Sequence, residues 1–318
     1  MAHTSSEHER IRALRQRLER KRSDVRIGIG DDAAVLLPDT GSMVLTVDAA
    51  VEGVHFERGW ASWHDIGRRA YVAAASDLAA MGAKPRVALL ALVLPKSVDD
   101  EALFAIVDGV AEGADECGAP IVGGNLAAGS ELSITTTVVG EIEGEPLTRS
   151  GARPGDGVYV TGTIGTAALG AAALRAGRES SELAARFVAR WRRPVARLVE
   201  GERLREVATA AIDVSDGLVQ DLDHLCEASG VGAQIDLARL PLDRSHAALA
   251  AELGVDPWVV ALTGGEDYEL LFAAPHGKAV AKLATRIGHF TPRAGEVEIL
   301  GPNGDRVELP TRGFDHFR

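Results

Sequence analysis

Positive charge, aromatic rings, cysteine and long apolar runs are all scarce in this chain of 318 residues. Lys and Arg number 34 against 46 Asp and Glu, a formal net charge of −12. Affinity for nucleic acid rests on basic side chains that neutralise phosphates, so no nucleic-acid partner is expected. Small phosphorylated molecules stay open, because a divalent metal can sit between carboxylate and phosphate. The two cysteines, Cys117 and Cys226, lie far apart without a CxxC partner and are expected to be free thiols of a cytosolic protein. No apolar run approaches the ~20 residues that span a bilayer, and residues 1–22 lack the apolar segment of a signal peptide. A cytoplasmic protein without membrane contact is therefore expected. A P-loop motif, GxxxxGK followed by Ser or Thr, is missing, and no Ser-His-Asp order stands out.

What the chain does have is 46% hydrophobic residues, 25% charged residues and 35 glycines, the balance of an α/β or α+β enzyme long enough for two domains. Residues 7–21 carry Ile11, Leu14 and Leu18 at helical spacing among interleaved charges, which predicts a solvated amphipathic helix. From Ile27 to Phe56, two apolar runs joined by a Pro-Asp-Thr-Gly turn read as strands with acids at their ends. GIGDDA in that stretch matches a dinucleotide pattern, but that pattern needs a helix after it and a proline turn follows instead. Residues 64–83 and 99–118 read as helices, and 86–95, 119–126 and 131–142 as strands, with the third ending before a Gly-Pro-rich boundary at 141–157. The Gly123-Gly124 pair is expected to make a turn. These signals place a first domain at 1–146 and a second at 147–318. In the second, the glycines of TGTIGTAALG fit phosphate binding at a helix N-terminus and tight strand-to-helix packing equally well. A helix is expected to break at Arg193-Pro194, another to run from Leu218, and the last 18 residues to form a turn, a short strand and an aromatic end.

The acids at strand ends are the unusual feature: Asp31, Asp32, Asp48, Asp213, Asp216 and Glu266, with Asp77 inside an apolar helix. A carboxylate in such surroundings is costly unless paired or metal-bound. Zinc prefers Cys and His, which are few here, whereas carboxylates with interspersed Thr and Ser suit magnesium. Ser215 or Asp216 alone would pass for a helix cap. The residue chemistry points to a magnesium-dependent enzyme that handles phosphate.

GIGDDAAV, TVDAAVEGVHF, SDLAAMGAKP, LTRSGARPGD, IDVSDGL and GGEDYELLF occur in the order found in thiamine-monophosphate kinases, and the chain resembles that family from Ile27 to the final GFDHF. The resemblance implies the two-domain, PurM-like fold of aminoimidazole ribonucleotide synthetase and the hydrogenase maturation factor HypE. In that fold an N-terminal α/β domain, holding metal and ATP, joins its sheet to a second copy in a homodimer to close a barrel, and the C-terminal domain is α+β. The implied reaction uses ATP to phosphorylate thiamine monophosphate. Matched position by position, Asp32, Thr46, Asp48, Asp77, Asp213 and Asp216 resemble magnesium ligands, Asp48, Asp77 and Asp216 being the expected catalytic set. Gly124, Arg149 and Ser215 resemble ATP contacts, and His55, Glu266 and Phe314 contacts to thiamine monophosphate. Where the family often shows GGDT, this chain has Gly123-Gly124-Asn125-Leu126. Asn125 keeps a carbonyl oxygen for metal and nucleotide but loses a charge, which predicts weaker magnesium binding. Asp31 has no matched role. Selenophosphate synthetase is disfavoured by the lack of an early reactive cysteine, HypE by the HFR end, and aminoimidazole ribonucleotide synthetase by VEGVHF and GGEDYEL. A binding protein without turnover is the rival of a different class.

Overall fold

The computed structural model describes residues 7–27, 35–36, 41–277 and 280–314. Asp31, Asp32 and the Pro-Asp-Thr-Gly turn lie outside the described residues. The chain divides into two compact units, Met1–Leu78 with Ala83–Glu145, and Ala79–Gly82 with Pro146–Arg318.

The first unit begins with α1 (Glu7–Leu18) and a short antiparallel pair, β1 (Val25–Ile27) and β2 (Val35–Leu36). Then follow β3 (Ser42–Val51), α2 (Trp63–Met81), β4 (Lys84–Leu94), α3 (Asp100–Cys117), β5 (Ile121–Ala128) and β6 (Ser133–Ile142). The last four strands named pair in the order β3-β6-β4-β5, and only β4 and β5 run parallel. Successive side chains on a strand point to opposite faces. One face is packed: Ala88, Leu90 and Leu92 of β4 and Ile134, Thr136 and Val138 of β6 are buried, and Leu78 of α2 lies against Gly140. α3 approaches α2 so closely that a Cβ at Gly67 would stand 1.9 Å from the Ile106 carbonyl oxygen. The opposite face is open and apolar, with Met43, Leu45 and Val47 at 60%, 60% and 65% exposure.

The expected Gly123-Gly124 turn is not there. Both glycines lie within β5, because a Cβ at Gly124 would stand 1.9 Å from the Leu90 carbonyl oxygen. The close approach that glycine permits is to the neighbouring strand.

The second unit contains β7 (Gly157–Val160), α4 (Thr166–Arg175), α5 (Ala185–Arg192), α6 (Leu198–Leu204), β8 (Ala210–Asp213) and α7 (Leu218–Ser229). It continues with β9 (Gly232–Asp236), α8 (His246–Leu253), α9 (Pro257–Thr263), β10 (Leu270–Ala274), β11 (Thr285–Thr291) and β12 (Val297–Leu300). The sheet order is β12-β9-β11-β7-β10-β8, antiparallel except for β12 beside β9. Both faces are covered. Val158, Val160, Leu271 and Ala273 pack with Leu218, Leu222 and Leu225 of α7, while Tyr159 and Phe272 stack at 5.4 Å on the other side with Leu204. The break at Pro194 falls as expected. Among the described residues of the tail no strand forms, and a single bridge joins Leu300 to Arg306.

Among the described residues no helix is long and apolar enough to cross a membrane. Cys117 and Cys226 are free, and burial pushes both thiols up to about 12, which leaves them protonated near neutral pH.

Candidate functional site

In the first unit β3 and α2 carry the oxygen groups. Thr46 and Asp48 lie on the packed pleat, in register with buried Val138 and Thr136 of β6. The Thr46 hydroxyl donates to Asp77, which is half-buried on α2 between fully buried Ser76 and Leu78. Asp48 Oδ1 accepts the Ala49 N–H at 2.7 Å. Directly across from Asp48, the Thr136 hydroxyl is buried without a hydrogen-bond partner. The same strand ends near His55, whose Nδ1 accepts the Val51 N–H at 3.0 Å. In the neutral ring the proton then sits on Nε2. Gly124 and Asn125 are both exposed, but the register puts Asn125 beside Ala91, Thr135 and Ala49 on the open pleat. The structure thus does not bring Asn125 to the Thr46–Asp77 pair.

In the second unit two loops are laced together. Glu266 N–H donates to the Ser215 carbonyl at 2.8 Å and Tyr268 N–H to the Val214 carbonyl at 2.9 Å. A Cβ at Gly265 would stand 2.0 Å from the Ser215 carbonyl oxygen, so glycine is required there. Glu266 and Tyr268 take positive φ of 71° and 51°, strained backbone of the kind that collects at functional sites. The lacing sets Asp213, Ser215 and Asp216 beside Glu266. Phe314 joins them, its N–H donating to the Asp216 carbonyl at 3.0 Å. Arg149 stands apart with an exposed side chain. Its loop is tied to Ser229 at the far end of α7, where the hydroxyl donates to the Arg149 carbonyl at 3.0 Å and accepts from Gly151 and Ala152 at 3.2 and 3.1 Å.

The three acids of GGEDYEL have separate duties. Glu266 Oε2 accepts the Trp191 indole N–H at 2.7 Å. Asp267 is fully buried and accepts the N–H groups of Gly165 and Ala167 at 2.5 and 2.8 Å. It fills the N-terminus of α4, so the sequence alternative of phosphate there gives way to an internal carboxylate. Burial pushes its carboxyl up to about 7 against the pull of those two donors. Glu269, 1% exposed, accepts from Thr161, Arg190 and Arg197.

Asp221 was not singled out by sequence. Buried in the first turn of α7, its Oδ2 accepts the N–H groups of Ser215, Asp216 and Gly217 at 3.1, 3.2 and 3.2 Å. No side chain of the preceding loop caps the helix; this inward carboxylate holds the loop instead. Burial first, then the charges of Asp213 and Asp216, push Asp221 up to about 8. The only signal in the sequence is an acid five residues after Asp216, on the helix face that turns back to the loop. Trp191, Arg190 and Arg197 were likewise missed, lying 72 to 79 residues from the acids they meet in GGEDYEL.

Among the described residues no three Asp, Glu, His or Cys side chains close on a point as a ready-made metal cage. Magnesium needs none, since it keeps waters and is held by one or two carboxylates together with substrate phosphates. The donors fit it: all are oxygens, and the Thr136 hydroxyl is orphaned beside Asp48.

These two units define an AIR synthase related protein. The model of that family's N-terminal domain matches residues 30–142, and the model of its C-terminal domain matches 153–299. A curated thiamine-monophosphate kinase of Escherichia coli (strain K12) is 38% identical over 314 residues, covering 95% of each chain. A solved structure of AaThiL complexed with AMPPCP and TMP matches at a TM-score of 0.81 and 33% identity, over 98% of this chain and 97% of that one. The thiamine-monophosphate kinase from Stenotrophomonas maltophilia K279a matches at 0.81 and 34%, over 94% and 96%. The chain belongs to the thiamine-monophosphate kinase family.

Proposed function

We propose that this protein transfers the γ-phosphate of ATP to thiamine monophosphate, giving thiamine diphosphate and ADP. The near full-length likeness to a kinase solved with AMPPCP and TMP carries the reading. Thr46, Asp48 and Asp77 in the first unit, and Asp213 and Asp216 in the second, are the magnesium ligands of this proposal, with Asp32 beside them in sequence expectation. When bound, magnesium offsets polyphosphate charge and polarises the phosphoryl oxygens. Arg149 offers a guanidinium fork to phosphate and Ser215 a hydroxyl, with Gly124 leaving room for nucleotide. His55 donates from Nε2 to the acceptor's phosphate. Trp191 fixes Glu266 toward the cationic thiamine, and the Phe314 ring packs on it.

The acceptor phosphate is largely ionised near neutral pH, so its oxygen attacks the γ-phosphorus in line and ADP leaves. No protein nucleophile is needed. The protein's share is positioning and charge stabilisation. Supplying ATP, magnesium and thiamine monophosphate should yield thiamine diphosphate and ADP in equal amounts. Binding of both substrates without turnover would make the chain a binding protein instead. Its dependence on ATP supports a cytoplasmic location.

Asn125, on the open pleat, offers a neutral oxygen. The register sets it on the pleat opposite Thr46 and Asp48, so Asn125→Asp should leave the magnesium concentration for half-maximal rate within about twofold of the wild type. A magnesium requirement that Asn125→Asp lowers by about threefold or more would return Asn125 to the metal site.

The open face of β3 gives the homodimer its support. Large apolar side chains in a row on a sheet mark an interaction surface, and a second copy closing the two sheets into a barrel covers it. Leu45→Asp should convert a dimer to a monomer in sedimentation velocity, whereas an unchanged mass would set this interface aside.

A further inference from the structure

The tail around Phe314 is fastened to α7 at successive residues. The Arg312 guanidinium pairs with Asp223 of α7. Gly313 lies so close to the helix that a Cβ there would stand 2.6 Å from Gln220 Oε1 and 2.7 Å from both Gln220 Cβ and the Asp216 carbonyl oxygen. Gln220 Nε2 donates to the Phe314 carbonyl at 2.9 Å and reaches Asp216 Oδ2 at 3.4 Å. The Phe314 N–H closes the loop on the Asp216 carbonyl. For all this anchoring, Phe314 stays 45% exposed. A backbone pinned on both sides of an exposed aromatic residue serves to aim its ring, because burial of that ring is not what the contacts achieve.

We propose that Gln220 and Gly313 are positioning residues that hold Phe314 at a fixed place relative to Asp216, and so set the affinity for the acceptor. The inference rests on the kinase reading above, in which Phe314 meets thiamine monophosphate and Asp216 serves magnesium. Gln220 is the link between those two functions: one amide touches the backbone of the first and the carboxylate of the second. Gly313 is needed for space, since any side chain would lever the tail away from α7. Neither residue touches the donor nucleotide in this scheme, so the effect of changing them falls on one substrate.

The test uses the full chain with Gln220→Leu, which removes the amide at similar size, and Gly313→Ala, which adds one methyl group. Both should raise KM for thiamine monophosphate by about tenfold, the scale of a lost aromatic–cation contact. KM for ATP should stay within about twofold, and thermal midpoints close to the wild-type value, because the tail lies at the surface. Calorimetric titration with thiamine monophosphate alone should show the same weakening. If the wild type turns over and both variants keep its acceptor KM, this inference fails while the kinase reading stands. It also fails if the two KM values and kcat shift together with a lowered midpoint, the mark of general damage. A wild type that forms no thiamine diphosphate overturns the kinase reading itself, and this inference with it.

Discussion

Replacing Asp77 with Ala should lower turnover by about a thousandfold and leave the fold intact. Asp77 sits on α2 among alanines, with fully buried Ser76 and Leu78 on either side, and receives the Thr46 hydroxyl. Alanine is the best helix former, so the substitution costs α2 nothing in propensity. What it removes is a carboxylate that, in the proposed reaction, helps hold magnesium against the transferred phosphoryl group. Such charge stabilisation amounts to several kcal/mol, and each factor of ten in rate corresponds to about 1.4 kcal/mol. Asp77→Asn separates the two possible duties. It keeps an acceptor for Thr46 but not the charge, so it should fall by about a hundredfold. Near wild-type turnover in Asp77→Asn would reduce the residue to a hydrogen-bond acceptor. Asp48→Ala should follow Asp77→Ala, measured as kcat at saturating substrates with thermal unfolding as the control.

The largest effect on stability is expected at Glu269. Its carboxylate is 1% exposed and meets Arg190 at 2.8 Å, both nitrogens of the Arg197 fork at 2.7 and 2.5 Å, and the Thr161 hydroxyl at 2.7 Å. Arg190 also donates to the Asp267 carbonyl at 2.8 Å, which ties this group to the strained GGEDYEL loop. Glu269→Ala takes the shared carboxylate from two largely buried guanidinium groups. It leaves Arg197 its longer pairing with Glu200 at 3.6 Å and Arg190 its bond to the Asp267 carbonyl, and should destabilise the second unit by about 3 kcal/mol. Urea unfolding followed by tryptophan fluorescence in a background with Trp60 and Trp63 replaced by Phe reads that unit through Trp191 and Trp258. A loss below about 1 kcal/mol would show that solvent reaches the arginines easily enough to replace the carboxylate.

The two effects illustrate what could be read without coordinates. Asp48, Asp77, Asp213 and Asp216 announced themselves because an acid that follows an apolar run or sits inside an alanine-rich helix breaks the local hydrophobic pattern, although Asp48, expected at a strand end, lies within β3. Asp221 and Glu269 break no pattern on the chain, being acids among other acids. Their meaning lies in what folds onto them, three backbone N–H groups for one and two arginines 79 and 72 residues away for the other. Periodicity located the β-branched strand at 131–142 and the break at Pro194 because strand propensity and a missing N–H act locally. It misread Gly123-Gly124 as a turn, since the demand for glycine came from the Leu90 backbone across the sheet. The short helices α8 and α9 carried too few residues to show a period. The role of Trp191 rests on a single hydrogen bond to Glu266 that no spacing foretells.

The most direct measurement is a rapid-quench experiment with ATP labelled in its γ-phosphate, magnesium and thiamine monophosphate, sampled within the first turnover. Direct in-line transfer predicts label in thiamine diphosphate from the earliest times, in step with ADP, with none on the protein and none at all when EDTA is present. Label that reaches a protein side chain before thiamine diphosphate, or ADP formed without any thiamine diphosphate, would contradict the account.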